Sequence, residues 1–385
     1  MNAAHPEKTS IIDTDWWSVG TVTIGITVFA IAQGLTYPLI SLLLAAREIS
    51  DTMIGFNAAA FMLGLGTSVL IVPSLSRHLR AGQVIVAGLL GAAISLGGFA
   101  ATDNLAAWFL LRFALGFCVN AIYVFGEAWL NAATADAVRG RVSGVYSAGM
   151  ATGFVIGPLA IPLFGIESGL AFAACAVLVS FVAFGLALLS KRARVEPEKP
   201  AISDLPRFAR SAPMLVFLVV AFGFIDASVL SLSPVHLTGA GASAALAATF
   251  LAVMHIGMIV AQPLLGMLLD RMDRWRVATA CLASTGLIFF LLTFVPITGW
   301  LIWVFATLGG AAFLGIYTSA LAILGQEHSG RGLTAGAAAF SLAYATGGVI
   351  GPVVTGPLIS VVPGATFIPV AIIGLCGAAV VWLKR

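Results

Sequence analysis

Residues 108–162 read WFLLRFALGFCVNAIYVFGEAWLNAATADAVRGRVSGVYSAGMATGFVIGPLAIP. The stretch opens on a hydrophobic run that carries two ionisable residues, Arg112 and Glu127. A short basic loop follows, Arg139-Gly140-Arg141, and then a second hydrophobic run with Gly149, Gly153 and Gly157 ahead of Pro158. A charge at bilayer depth costs about 2.5–3.5 kcal/mol on insertion scales, so such residues face a protein interior or a watery cavity. Small residues at every fourth position let two helices approach closely along one stripe. The stretch therefore predicts a charged membrane helix, a basic turn and a close-packing helix.

Working outward, composition agrees with a membrane protein. Sixty per cent of the residues are hydrophobic and 9% charged, against roughly 25% charged in a soluble domain. Mean hydropathy is +1.06. Twelve runs are long enough to span a bilayer, given that a crossing helix needs about 20 apolar residues. They cover 17–44, 52–73, 84–101, 106–130, 142–164, 169–190, 213–237, 245–269, 277–296, 300–325, 333–359 and 365–383. Lysine and arginine accumulate in cytoplasmic loops. With both termini inside, 17 of the 19 basic residues fall on the cytoplasmic face, Arg47 falls outside and Arg112 lies within the membrane. Nothing before Trp16 reads as a secretory signal. Cys118, Cys175, Cys281 and Cys376 each fall in a hydrophobic run without metal spacing and read as packing residues. No nucleotide loop, metal cluster or nucleophile–base pair is visible, so neither a metal nor a cofactor is expected, and no nucleic-acid partner.

In chain order, the first run contains Gln33-Gly34-Leu35-Thr36-Tyr37-Pro38, a polar, kink-prone interior. The second carries Asn57 and ends at Pro73. Residues 191–212, rich in Pro, Lys, Arg and Glu, read as a cytoplasmic linker between six-helix bundles at 1–190 and 213–385. The halves repeat. A shift of 194 places Ala151-Thr152-Gly153-Phe154-Val155-Ile156-Gly157-Pro158 on Ala345-Thr346-Gly347-Gly348-Val349-Ile350-Gly351-Pro352, with seven of eight positions identical. The same shift sets Arg77 on Arg271 and Arg80 on Arg274. Two such halves are parallel repeats about an axis along the membrane normal.

These residues resemble the major facilitator superfamily over essentially the whole chain. Gly266-Met267-Leu268-Leu269-Asp270-Arg271-Met272-Asp273-Arg274 is similar to the family's loop signature between the second and third helices of a half. Arg112-Phe113-Ala114-Leu115-Gly116 resembles its fourth-helix arginine motif, and Gly153–Pro158 its fifth-helix antiporter motif. The N-half loop departs from the signature, with Ser76 at the aspartate and Val72 at the leading glycine. The resemblance implies an all-α membrane protein of twelve helices in two pseudo-symmetric bundles, resident as a monomer in a bacterial inner membrane. It also implies a cytoplasmic gate of Asp270, Arg271, Arg274, Arg77 and Arg80.

Among candidate functional residues, Asp226 stands at the middle of the seventh run, flanked by Ile225 and Ala227. A carboxylate in such surroundings is a candidate for binding and releasing a proton, or for a structural polar contact. Its repeat equivalent is Ala32, and those of Arg112 and Glu127 are Ala306 and Leu321, so no charge here is duplicated. Glu127 reads either as a gate partner of Arg77, Arg80 or Arg141 or as a proton carrier. Arg112 lies fifteen residues earlier, about 22 Å along a helix, too far to pair with it. By resemblance, Arg112 takes part in coupling with Asp226 or a substrate anion, with an internal salt bridge as the alternative. Gln33, Tyr37, Asn57, Asn120, Tyr123, Tyr146, His255, Gln262, Tyr317 and Tyr344 are cavity-lining candidates. For His255 a hydrogen-bonded packing role is the simpler reading.

The glycines at 149, 153 and 157 advance by about 400° each, one slowly drifting groove, and Gly347 and Gly351 repeat it ahead of Pro352. By resemblance, each groove faces a helix of the opposite half, the eighth for the fifth and the second for the eleventh, as a seam on which the halves rock. The expected function is proton-coupled efflux of a small organic compound by alternating access, with symport or facilitated uptake as the alternative and a non-transport membrane protein as a third.

Overall fold

The computed structural model describes residues 14–135, 138–166, 169–189, 205–328, 330–362 and 365–384, without the side chains of Arg77, Arg331, Leu333 and Thr334. Each hydrophobic run forms a helix, and several begin where a short polar side chain can satisfy the free N–H groups of a first turn. Asp15 accepts from Ser18 N, Asn104 from Ala107 N (3.1 Å), Ser243 from Leu246 N (3.1 Å) and Asp273 from Arg276 N (2.9 Å). The spanning helices are α1 (Trp16–Ala46), α2 (Asp51–Leu75), α3 (Ala81–Ala101), α4 (Leu105–Ala133), α5 (Arg139–Leu159) with its short continuation α6 (Ile161–Phe164), and α7 (Leu170–Leu189). After a short α8 (Leu205–Ser211) come α9 (Pro213–Gly239), α10 (Ala244–Arg271), α11 (Arg274–Leu292), α12 (Leu301–Glu327), α13 (Gly330–Val361) and α14 (Ile368–Leu383). Twelve spans are long and apolar enough to cross a membrane, and no strand occurs among the described residues.

Packing repeats as the sequence does. The pairs α1–α5, α2–α4, α3–α4 and α3–α7 recur as α9–α13, α10–α12, α11–α12 and α11–α14. Even the turns match. After α1, Glu48 N donates to Ala45 O and Ile49 N to Leu44 O; after α9, Gly241 N donates to Thr238 O and Ala242 N to Leu237 O. This is one helix-ending pattern. Its left-handed residue is Gly241 (φ 95°) in one half and Glu48 (φ 57°) in the other.

The halves meet through α2–α13, α5–α10 and α1–α9. With an even number of spans, α1 begins and α14 ends on one face, the terminal face. The other is the far face, where Arg47 at the end of α1 pairs with Asp103 before α4. On the far side, α2 and α13 touch backbone to backbone. A Cβ built on Gly356 would fall 2.7 Å from the Asp51 carbonyl oxygen, and one on Gly55 would meet the Pro352 carbonyl. Thr52 Oγ1 and Ser360 Oγ are 3.1 Å apart in the same place.

Three expectations change. The glycine stripes do not line the seam between halves. A Cβ on Gly153 would lie 2.7 Å from Ala30 Cβ and 2.8 Å from Ile31 N, and Gly149 and Gly157 face Thr27 and Leu35, all on α1. Likewise Gly347 and Gly351 face Phe224 and Ser228 on α9. The reason is angular. Successive helical residues are about 100° apart, so a stripe serves one partner and its neighbour another. The residue that crosses the seam is the next one, Gly348, against Met62 of α2, and Phe154, against His255 of α10. Second, the repeat does not carry through its prolines: Pro158 is followed by a helix break at Ala160, whereas α13 runs through Pro352 to Val361. Third, part of the expected linker is ordered. Leu205 and Phe208 of α8 are buried, and Phe208 packs on His328 and Phe340 (ring centroids 5.0 and 6.4 Å). Residues 191–204 of that linker lie outside the described residues.

Candidate functional site

Between the halves, polar side chains form a ladder along the central helices. Its middle rung is Asp226, thirteen residues from each end of α9 and buried. Tyr344 of α13 donates its hydroxyl to Asp226 Oδ2 at 2.6 Å. The ring of Tyr344 leans on Phe222 (5.7 Å), which also stacks on Tyr317 (5.0 Å) and Phe313 (5.3 Å) of α12. Phe222 escaped the sequence reading, although it stands four residues before Asp226 and so on the same helix face. Facing this wall, α1 presents Phe29, Gln33 and Tyr37 at i, i+4 and i+8. Tyr123 of α4 donates to Gln33 Oε1 at 2.8 Å and packs edge-on against Phe29.

Arg112 is the far-side rung and is 1% exposed. It makes no ion pair with Asp226. Its guanidinium lies 5.2 Å from the ring centroids of both Tyr37 and Phe61, and Nε and Nη2 have no partner among the described residues. Aromatic faces attract a cation, which offsets part of the cost of burying one. Asn57, buried on α2, also leaves Nδ2 unpartnered, while Asn120 Nδ2 donates to Ser68 Oγ at 3.2 Å.

Toward the terminal face the ladder ends at Glu127. It is exposed although it belongs to a spanning helix, as is Asn131 one turn on. Arg80 is exposed, and Arg77 has no described side chain, so that part of the expected gate lies outside the described residues. Asp270 and Arg271 are exposed, and neither forms an ion pair with a described residue. Arg274 donates to the Ala322 carbonyl at 2.6 Å, and Trp275 Nε1 to Glu327 at 3.0 Å. Both contacts tie α11 to α12 within one half rather than across the seam. His255 is buried, with Nδ1–H donating to the Leu251 carbonyl (2.7 Å) and its ring stacked on Phe154 (5.5 Å, 3° between planes). Gln262 accepts from Thr318 Oγ1 at 3.3 Å. Among the described residues, no three His, Cys, Asp or Glu side chains group as a metal site would require.

Chemically, a buried carboxylate such as Asp226 is a group able to take up and release a proton. The sequence model described as Major Facilitator Superfamily matches residues 22–352. The chain belongs to the Major Facilitator Superfamily. Its family and fold are those of transporters, and it is a multi-pass membrane protein. Among curated superfamily members, it is 24% identical to the uncharacterized MFS-type transporter YfkF of Bacillus subtilis (strain 168) over 337 residues, 86% of each chain. Among solved structures of the superfamily fold, a single-site mutant of the nucleoside transporter NupG superposes with a TM-score of 0.78 at 16% identity, over 95% of this chain and 99% of that one. A bacterial homolog of the human lysosomal transporter Spinster, in an inward-facing and unoccupied conformation, gives 0.76 at 15% identity over 96% of each.

Proposed function

We propose that the protein is a proton-coupled secondary transporter exporting a small organic compound by alternating access, with the terminal face in the cytoplasm. The observation that carries this reading is the hydrogen bond from Tyr344 to the buried carboxylate of Asp226. Asp226 belongs to one of the two central helices, and Tyr344 to the helix that joins the halves. On one side, α13 packs its glycines on α9; on the other, Gly348 meets Met62 of α2. A proton arriving at Asp226 changes what Tyr344 binds and so biases the α2–α13 contact. The backbone contacts on the far side and the exposed Glu127 and Asn131 support assigning this conformation as closed outward and open inward. The drive is adequate, since one charge crossing 100 mV supplies about 2.3 kcal/mol.

The cytoplasmic assignment rests on the basic loops, and the bacterial inner membrane on the similarity to bacterial proteins. Seen from there, Asp270, Arg271 and Arg80 are exposed and available to a gate when that side closes. In proteoliposomes with an internal pH dye, Asp226→Asn is expected to abolish uphill transport while exchange of solute down its own gradient survives. Wild-type proton movement in that variant sinks the reading. The alternative is proton symport or facilitated uptake of a small metabolite, and the direction of the dye response to added solute separates symport from efflux.

A further inference from the structure

Arg112 is an enclosed cation with one edge of its guanidinium left over. It is 1% exposed, and no carboxylate among the described residues pairs with it. Its setting is tightly built. A Cβ on Gly116 of α4 would run into the Phe61 carbonyl of α2, and one on Gly64 of α2 into the Phe113 carbonyl of α4, so the two backbones touch beside it. Tyr37 of α1 packs edge-on against Phe61, 5.1 Å between ring centroids, and the guanidinium carbon lies 5.2 Å from each ring. These rings attract the cation but leave its Nε and Nη2 without a hydrogen-bond partner among the described residues. Asn57 stands one turn before Phe61 on the same face of α2, is 1% exposed, and leaves Nδ2 unpartnered as well. Buried polar groups are paired as a rule, so three enclosed donors without an acceptor call for an account.

The edge left free selects the ligand. Nε and Nη2 lie on one side of the guanidinium and present two parallel N–H bonds, the fork that a carboxylate meets with its two oxygens. The chain supplies no such group here. Asp226 is engaged by Tyr344, and Glu127 is about 22 Å away along α4. We infer that Arg112, with Asn57 beside it, forms the substrate site for an organic anion carrying a carboxylate, bordered by the rings of Tyr37 and Phe61. The ligand then brings the counter-charge that the fold withholds, offsetting the cost of enclosing a lone guanidinium. Side chains rather than backbone border the fork, and they turn aside to admit the ligand. Export suits this charge, since a membrane potential negative inside drives an anion outward. Asp226 is left to the proton. The inference rests on the transport reading, which it deepens by naming the substrate class.

The test measures binding without a gradient, so its failure and that of the proton reading are separable. The probes are benzoate and benzamide, alike in ring and shape but differing in charge, with the purified full chain under equilibrium dialysis. The wild type should bind benzoate at least roughly tenfold more tightly than benzamide, the margin of a charge-assisted contact. Chloride should displace benzoate far less readily than benzoate itself does, because the fork is matched to two oxygens. Arg112→Lys keeps the charge and removes the fork, and should weaken benzoate binding roughly tenfold or more. Asn57→Ala leaves Arg112 in place and should weaken it several-fold, which keeps the test open if Arg112→Lys fails to fold. Equal binding of the two probes, no benzoate binding by the wild type, displacement by chloride as readily as by benzoate, or undiminished binding in Arg112→Lys or in Asn57→Ala each overturns the assignment.

Discussion

At the scale of single residues, the decisive contact is the 2.6 Å hydrogen bond from Tyr344 to Asp226. A hydrogen bond to a charged group contributes about 1.5–3 kcal/mol net. Tyr344→Phe keeps the ring beside Phe222 and removes only the hydroxyl. Proton-coupled transport in proteoliposomes should then fall roughly tenfold or more, while protein yield and helix content stay as in the wild type. Unchanged transport rates would leave the Tyr344 hydroxyl without a coupling role. The sequence made Asp226 legible because an aspartate at mid-span, without an equivalent in the other half, has few structural excuses. Tyr344 was visible only as one polar residue among many, since its pairing with Asp226 spans 118 residues and exists only once α9 and α13 pack.

At the scale of the helix, periodicity told which residues share a face but not which neighbour that face would meet. The stripe Gly149, Gly153, Gly157 was legible, and so was its repeat. Its partner was not, because a close-packing groove suits any helix that comes near. The informative position was the mismatch in the eight-residue repeat, Phe154 against Gly348. It is the residue one step around from the stripe, and in each half it crosses to the other. The α2–α4 and α10–α12 pairs were missed too, though they use glycines at repeat-related positions. Gly116 approaches Phe61 of α2 and Gly310 approaches Met254 of α10, backbone against backbone. Substitutions on the two faces of α5 and α13 should therefore fail differently. Gly153→Leu would place its Cβ 2.7 Å from Ala30 Cβ and 2.8 Å from the Ile31 backbone nitrogen, where neither can yield. Overpacking of that kind costs about 1–3 kcal/mol or more, so the folded yield on size-exclusion chromatography should drop. Gly348→Ala meets only the flexible side chain of Met62 at 2.7 Å. That protein should fold normally. A monodisperse Gly153→Leu variant with wild-type thermal stability would refute the stripe's role inside the half.

At the scale of the whole molecule, the two seams between halves are unequal. Along α2–α13, glycines bring backbones into contact on the far side. Along α5–α10, the stacked rings of Phe154 and His255 lie between the helices. Parallel repeats would make the seams equivalent, and the divergence at residues 154 and 348 is what separates them. A tight seam and a looser one suit a rocking motion in which α2 and α13 part on the far side as the terminal side closes. If that motion accompanies transport, a covalent bridge across the tight seam stops it. Thr52 and Ser360 supply the place, with hydroxyl oxygens 3.1 Å apart at the far ends of α2 and α13. Side-chain tips already in contact are the starting condition for a disulfide, which draws the two sulfurs to about 2.05 Å. In a background where the exposed Cys376 is replaced, the Thr52→Cys, Ser360→Cys double variant should oxidise readily. Once oxidised it should lose transport almost completely, and a reductant should restore it. Each single variant should transport as the background does under both conditions. Full transport by the demonstrably cross-linked protein would show that α2 and α13 stay together on the far face throughout the cycle, and the halves would then have to move about some other contact.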